Sequence, residues 1–136
     1  MNKSLLEMFA KSNFTILPTH FIYAKVTTAP TLGKHFMISQ DADEITVITA
    51  EENLGELDII EKNEYHWRLV ALNLAVPFTA GTIAAINAAC AELGLNNLIV
   101  STYSKDYIFV KDEHLTDIKN VLNTLGFKET GSNKVA

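Results

Sequence analysis

The sequence predicts an α+β protein, and three of its features carry that prediction. Short β-rich runs alternate with segments of helical periodicity, polar stretches separate them, and two helical segments end in a glycine followed by an apolar residue. The chain of 136 residues is 48% apolar and 20% charged, which is typical of globular proteins. It is therefore long enough for one compact domain or two small fused units.

The N-terminal segment predicts a short helix. Ser4 and Glu7 have the spacing of a capping box, and apolar residues at helical spacing follow Ser4. We therefore expect a helix over residues 4–12 that ends at Asn13.

The rest of the first half predicts strands. Residues 21–26 are a β-rich run, and residues 35–39 and 44–50 have the pattern of a hairpin. Residues 51–64 are rich in acidic side chains and are interpreted as a linker, partly held in place by its Leu and Ile residues.

The second half has a clearer order, in which strands alternate with two helices. Gly94 and Gly126 each follow a helical segment and supply left-handed caps. The predicted order is a strand at 66–72, a helix at 79–93, strands at 97–102 and 107–111, a helix at 112–125 and a short strand at 127–128.

That βαββαβ order is typical of a ferredoxin-like unit, with mainly antiparallel strands and both helices on one face. A weak repeat, D-x-I-x-V at 43–47 and at 106–110, indicates a related but abbreviated first unit. Residues 27–34 are too few for its crossover helix, so we expect the N-terminal helix to cover its sheet instead. The predicted units are therefore residues 1–62 and 63–136.

Charge and composition exclude several classes of function. The formal charge is −5, from 16 acidic and 11 basic residues without a basic cluster, which argues against nucleic-acid binding. The sequence contains no apolar run long enough to span a membrane, and its single cysteine, Cys90, cannot form an internal disulfide. We therefore expect a cytoplasmic protein without a membrane partner.

Three strings resemble the short bacterial tandem ACT-domain proteins: DEITV at 43–47, PFTAG at 77–81 and STYSKDYIFV at 101–110. The resemblance covers about residues 21–127. It implies paired ACT units that hold an amino-acid-like ligand between a loop, here residues 73–81, and a strand edge, here residues 101–106. Ser104 and Lys105 depart from the pair Asp-Thr that relatives often have, so the type of ligand is not carried over.

The predicted ligand site brings that loop and that strand edge together. A helix that begins at Gly81 and Thr82 offers free N–H groups to a carboxylate, although capping and close packing explain the same residues. Asp106 suits an ammonium group, although an aspartate there is also a common turn former. The predicted ligand-binding residues are Pro77, Phe78, Thr79, Gly81, Thr82, Ser101, Thr102, Tyr103 and Asp106.

No catalytic, metal or cofactor site is predicted. Asp41, Asp43 and Glu44 belong to a hairpin turn without further ligands, and the four histidines are scattered. Cys90 lies on an apolar helix face, and the sequence has no phosphate loop or dinucleotide motif. Only an unpredicted cluster of His66, Arg68 and Asp106 would supply convergent titratable groups.

We therefore expect a regulatory module without catalytic activity that binds a small molecule, an amino acid, and forms a homodimer. The alternative is an interaction protein without a small ligand, which pairs through its sheet with a second copy or another protein.

Overall fold

The computed structural model describes residues 2–31 and 33–131, and its chain divides into two compact units. The larger unit comprises residues 1–18 and 68–136, and the inserted unit comprises residues 19–67. Residues 132–136, which the predicted second unit includes, lie outside the described residues.

Three helices and nine strands make up the described residues. The helices are α1 (Lys3–Ala10), α2 (Thr82–Glu92) and α3 (Leu115–Leu125). The strands are β1 (Asn13–Ile16), β2 (Phe21–Val26), β3 (Met37–Gln40), β4 (Ile45–Ala50), β5 (Ile59–Lys62), β6 (Trp67–Asn73), β7 (Leu98–Ser101), β8 (Asp106–Lys111) and β9 (Lys128–Thr130). None of the helices in the described part of the chain has the length and hydropathy needed to cross a bilayer.

The larger unit has the predicted ferredoxin-like order β6-α2-β7-β8-α3-β9. Its strands lie in the order β7-β8-β6-β1-β9. The unpredicted strand is β1, which runs antiparallel to β6 and parallel to β9. The N-terminal segment therefore supplies a strand to the sheet of the larger unit.

The core of the larger unit contains residues of all three helices. Leu5, Met8 and Phe9 of α1 are buried in the same apolar cluster as Ile86 of α2 and Ile118 of α3. The expectation that α1 covers the sheet of the first unit is therefore wrong. Because α1 and β1 bury their apolar residues in this core, the boundary also differs from the predicted division into 1–62 and 63–136.

The contacts at the two ends of α1 show where the helix begins and how closely it packs in the larger unit. Its N-cap is Asn2, whose side chain accepts hydrogen bonds from the backbone N–H groups of Ser4 and Leu5, so the predicted capping box at Ser4 does not form. Near its other end, Gly126 has a φ of +117°, and a Cβ there would lie 3.3 Å from the backbone nitrogen of Ala10. Glycine therefore permits α1 to approach the end of α3 closely.

The inserted unit repeats the strand order of a ferredoxin-like sheet without its helices. Its strands lie in the order β3-β4-β2-β5, which matches β7-β8-β6-β9 of the larger unit when β1 is left out. The described residues of 27–34 form bends and turns where the first helix would lie, as predicted. A 3-10 turn, Glu51–Glu56, stands where the second helix would lie.

The interpretation of residues 51–64 as a linker is wrong for most of that segment. β5 pairs antiparallel with β2, and Leu54, Leu57 and Ile59 pack against the core of the inserted unit. The acidic residues misled the prediction because β5 buries little of its surface.

The two hairpins correct the alignment of the sequence repeat. In the inserted unit the N–H of Asp41 donates to the carbonyl of Glu44 (3.1 Å), and in the larger unit that of Thr102 donates to the carbonyl of Lys105 (2.8 Å). These equivalent turns precede β4 and β8, which have the same burial pattern. The structure thus aligns Ile45, and not Asp43, with Asp106.

Candidate functional site

The larger unit contains an open cavity of about 600 Å³ where three chain segments meet. The segments are the end of α1 with the start of β1, the loop that follows β6, and the hairpin between β7 and β8. The lining residues are Lys11, Asn13, Leu72, Asn73, Leu74, Ala75, Pro77, Phe78, Ser101, Thr102, Ser104, Lys105 and Asp106.

The hairpin holds Asp106 at the edge of the cavity. Ser101 and Asp106 are directly opposite each other on β7 and β8, and the Ser101 hydroxyl donates to Oδ1 of Asp106 at 2.5 Å. Among the described side chains, Ser101 is the one that donates to this carboxylate. Asp106 thus helps to close the hairpin through a hydroxyl group and keeps acceptor capacity for a ligand.

The loop after β6 is tied to the end of α1 through a buried serine. The Ser12 hydroxyl donates to the carbonyl of Met8 at 2.8 Å and accepts the N–H of Ala75 at 2.9 Å. Further along the loop, Phe78 has a φ of 61°, which is unfavourable for a bulky residue, and its side chain is 84% exposed. The loop therefore presents an aromatic side chain to solvent at the cavity.

Two asparagines supply polar groups where β1 and β6 pair. Nδ2 of Asn73 donates to Oδ1 of Asn13 at 2.7 Å and to Oγ1 of Thr15 at 3.1 Å. Both protons of that amide are then used, which leaves its carbonyl oxygen as an acceptor and the amide nitrogen of Asn13 as a donor. The cavity lining thus offers hydrogen-bonding groups of both kinds.

The charged groups of the cavity are Lys11, Lys105 and Asp106. Neither lysine forms an ion pair with a described residue, whereas Lys34 pairs with Glu56 at 2.6 Å and Lys119 pairs with Glu129 at 3.4 Å. The lining therefore carries two positive charges that have no ion-pair partner among the described residues, and one negative charge, in a chain whose net charge is −5.

The structure brings together five of the nine predicted ligand-binding residues. Those that line the cavity are Pro77, Phe78, Ser101, Thr102 and Asp106. Those that are not among its described lining residues are Thr79, Gly81, Thr82 and Tyr103.

The start of α2 explains most of that difference. Gly81 has a φ of +89° and is the N-cap, and its carbonyl accepts the N–H of Ala85. Thr82 is buried, and its hydroxyl donates to the carbonyl of Thr79 at 3.0 Å. Gly81 and Thr82 thus make the capping and packing contacts of the alternative that the sequence left open, and their role in ligand binding stays a prediction.

Sequence reasoning missed Lys11 and Asn13 as lining residues. Both belong to the N-terminal segment, which the prediction had assigned to the other unit. The alternation of buried Phe14 and Ile16 with Asn13 and Thr15 was a signal for β1, although a short one.

The inserted unit has a smaller cavity of about 260 Å³ with the opposite charge balance. Lys25 lies there with two glutamates, Glu44 and Glu61, and its amino group is 3.9 Å from the Glu44 carboxylate. The lysine of this cavity is therefore already compensated by the protein.

The three residues that would supply an alternative catalytic cluster, His66, Arg68 and Asp106, each have another partner. His66 contacts Glu51, and Asp106 accepts from Ser101. Arg68 donates to the Asp112 carboxylate at 3.2 Å and to the carbonyl of Leu17 at 3.1 Å. Within the described residues, no three His, Cys, Asp or Glu side chains are grouped so that they could hold a metal ion.

Two groups outside the cavity have shifted pKa values. The backbone N–H groups of Asp43 and Glu44 donate to the Asp41 carboxylate and hold its pKa below the ordinary value. Burial raises the pKa of the Cys90 thiol, which makes this side chain a poor nucleophile.

No protein-family model matches the sequence, and no curated protein matches it. Solved structures do share the fold. A Vibrio cholerae protein of unknown function, described as a possible transport protein, is 18% identical with a TM-score of 0.76, over 91% of this chain and 97% of that one.

Two further structures are regulatory parts of aspartate kinase. The regulatory subunit from Thermus thermophilus is 12% identical with a TM-score of 0.58, over 82% of this chain and 95% of that one. A putative C-terminal regulatory domain from Porphyromonas gingivalis is 13% identical with a TM-score of 0.59, over 86% and 98%. The chain therefore has the ACT-like fold, with a ferredoxin-like arrangement of mainly antiparallel strands, that the resemblance implied.

Proposed function

We propose that this protein is a regulatory module without catalytic activity and that it binds an amino acid in the cavity of the larger unit. The observation that carries the proposal is the presence of charges of both signs, with amide and hydroxyl groups, around one cavity of about 600 Å³. Small-molecule sites in proteins have volumes of roughly 300–1,000 Å³. An amino acid carries one carboxylate and one ammonium group, which such a lining can recognise together.

Each group of the ligand has a suitable partner in this proposal. The ammonium group binds the Asp106 carboxylate and the carbonyl oxygen of Asn73, because both accept hydrogen bonds. The α-carboxylate binds a lysine and the amide nitrogen of Asn13. This assignment replaces the helix start at Gly81 with Lys11 and Lys105 as the carboxylate partner.

The regulatory part of the proposal is supported by the fold, since regulatory parts of aspartate kinase share it. It is also supported by how the larger unit is built. The cavity is lined by residues from α1 and β1 as well as from segments that follow β6. A bound ligand would therefore hold together two stretches of chain that are separated by the whole inserted unit.

The test is a thermal-shift and calorimetric screen of the twenty amino acids at millimolar concentration. Binding to the folded state stabilises it by RT ln(1 + [L]/Kd), which is about 2.7 kcal/mol at a hundredfold excess over Kd. If no amino acid raises the melting temperature or releases heat, the proposed function is wrong.

The site is tested with Asp106→Asn, which keeps the acceptor for Ser101 and removes the charge. It should weaken amino-acid binding by about 1.5–3 kcal/mol, the usual worth of a hydrogen bond to a charged group. Asp43→Asn is the matched control, since Asp43 is an exposed hairpin carboxylate that does not line this cavity. Equal affinities of the two variants would place the ligand elsewhere.

A protein partner is the second candidate function, because apolar side chains are exposed beside the cavity. Val76, Phe78 and Tyr103 are 56%, 84% and 95% exposed. We propose that the partner is a second copy of this chain, which would give a homodimer of twice 15.0 kDa. Light scattering that finds only monomer at high micromolar concentration, with and without amino acids, would contradict this part of the proposal.

A further inference from the structure

We infer that the cavity selects an amino acid whose side chain carries a second carboxylate. This inference rests on the proposed function and adds to it the chemical class of the ligand. It starts from the two cavity lysines, Lys11 and Lys105, and from the single acidic residue, Asp106, among the described residues of the lining.

The described residues do not neutralise these two lysines. Three lysines elsewhere have a carboxylate partner within 4 Å, namely Glu44 for Lys25, Glu56 for Lys34 and Glu129 for Lys119, whereas Lys3, Lys62 and Lys128 resemble the cavity lysines in having no described ion pair. No described carboxylate pairs with Lys11 or Lys105, although acidic residues outnumber basic ones by 16 to 11. In an acidic protein, two unpaired lysines at one cavity are a local excess of positive charge that attracts anions.

Asp106 does not remove that excess. Its carboxylate supplies one negative charge and is already an acceptor for the Ser101 hydroxyl at 2.5 Å. When a neutral amino acid binds, its ammonium pairs with Asp106 and its α-carboxylate with one lysine, so the second lysine keeps its charge uncompensated. A second carboxylate on the ligand neutralises it, and the three protein charges then face three ligand charges of opposite sign.

The two lysines stand on different segments, which fits a ligand with two separated carboxylates. Lys11 caps the C-terminus of α1, where its N–H donates to the carbonyl of Met8 at 3.1 Å. Lys105 lies in the tight turn that is closed by the hydrogen bond from Thr102 N–H to its own carbonyl. Neither backbone position depends on the side-chain charge, so both charges can be removed without unfolding the site.

The decisive experiment is isothermal titration of the full chain with L-aspartate and L-glutamate and with their uncharged isosteres, L-asparagine and L-glutamine. The acidic ligands should bind about tenfold more tightly, a difference of about 1.4 kcal/mol. The preference should shrink at high salt because the cavity is open and its charges are screened. If the isosteres bind as tightly as the acids, the inference is wrong while the proposed amino-acid site stands.

Variants assign the selectivity to the lysines. Lys11→Gln with Lys105→Gln should bring the affinity ratio of acid to isostere close to one, while both ligands bind more weakly because each loses the lysine partner of its α-carboxylate. Lys119→Gln is the matched control, because it removes a lysine of the same unit that is paired with Glu129. An unchanged ratio in the double variant would overturn the inference.

Succinate distinguishes an acidic amino acid from a simple dicarboxylate. Aspartate should bind more tightly than succinate, and Asp106→Asn should reduce that advantage because only aspartate has an ammonium group. If succinate binds as tightly as aspartate, selection for two carboxylates stands and the amino-acid part of the proposed function fails. If no amino acid and no dicarboxylate binds, both fail.

Discussion

Replacing Phe9 with alanine tests whether the N-terminal helix is part of the core of the larger unit. Phe9 is fully buried, and the centroid of its ring lies 4.8 Å from that of Phe127 in a tilted pair. Removing a buried phenylalanine costs about 3–5 kcal/mol, which includes the cavity that it leaves. The total stability of a small protein is about 5–15 kcal/mol, so this one change should remove a large share of it.

The assay is urea unfolding followed by tryptophan fluorescence and circular dichroism. Phe9→Ala should lower the midpoint with an unchanged m-value, since the surface exposed on unfolding stays similar. Leu6→Ala is the matched control on the same helix: Leu6 is 40% exposed, and its truncation should cost only about 1 kcal/mol.

If Phe9→Ala does not fold, Phe9→Leu carries the test, because it keeps most of the volume and should cost about 1.5 kcal/mol. The assignment of residues 1–18 to the larger unit would be refuted by a Phe9→Ala variant no less stable than Leu6→Ala. The same assignment would be refuted if Phe9→Ala lost only the helical circular-dichroism signal of α1 while the rest of the urea unfolding transition stayed unchanged.

Three further predictions concern single residues. Gly126→Ala should destabilise the protein by about 1–3 kcal/mol in thermal unfolding, because the φ of +117° disfavours a side chain and the new Cβ would meet Ala10. Gly55→Ala is the control, because Gly55 has open space around it and the change should not destabilise the protein. The Asp41 carboxyl should titrate by NMR below the ordinary aspartate pKa of about 3.9. Because its pKa is lowered on folding, the stability that Asp41 contributes should be present above a pH of about 3.9 and lost as the pH falls through the lowered pKa. A titration midpoint at or above the ordinary pKa would contradict the turn hydrogen bonds. The Cys90 thiol should react with a disulfide reagent far more slowly in the native protein than in urea, and equal rates would contradict its burial.

The sequence predicted those elements whose stability shows in a local pattern. β2 has the predicted bounds. The apolar residues of α2, such as Ile86 and Cys90, and those of α3, such as Ile118 and Leu122, recur at helical spacing, so both helices could be located. The turn between β7 and β8 was located because its polar residues separate two apolar runs. In these cases a few neighbouring residues determine the structure.

The elements that the prediction missed depend on partners far away in the sequence. β1 is a strand because Asn13–Ile16 pairs with β6 and with β9, and nothing within four residues reveals those partners. β5 pairs with β2 at an edge and keeps Glu61 and Lys62 exposed, so its composition looks like that of a loop. Such strands are defined by the sheet that they join.

The candidate site follows the same distinction. Pro77, Phe78, Ser101, Thr102 and Asp106 could be predicted because the ferredoxin-like order brings one loop and one hairpin to the same end of a sheet. Lys11 could not, because it reaches the cavity only through the docking of α1. The charge of the lining, and with it the proposed chemical class of the ligand, therefore depends on Lys11, which local patterns could not place.

The position of Lys11 also connects binding with the stability of the N-terminal segment. The end of α1 is held near the cavity by the Ser12 hydroxyl, which accepts the N–H of Ala75 at 2.9 Å and so joins α1 to the loop after β6. In the proposed complex, a ligand that bridges Lys11 and Lys105 would add a second link between that segment and the hairpin. Because only the folded arrangement offers both lysines, the proposed ligand would stabilise the docked form of α1 over any form in which α1 is released. In the proposed function, the binding energy would therefore act on α1, which precedes the inserted unit in the sequence.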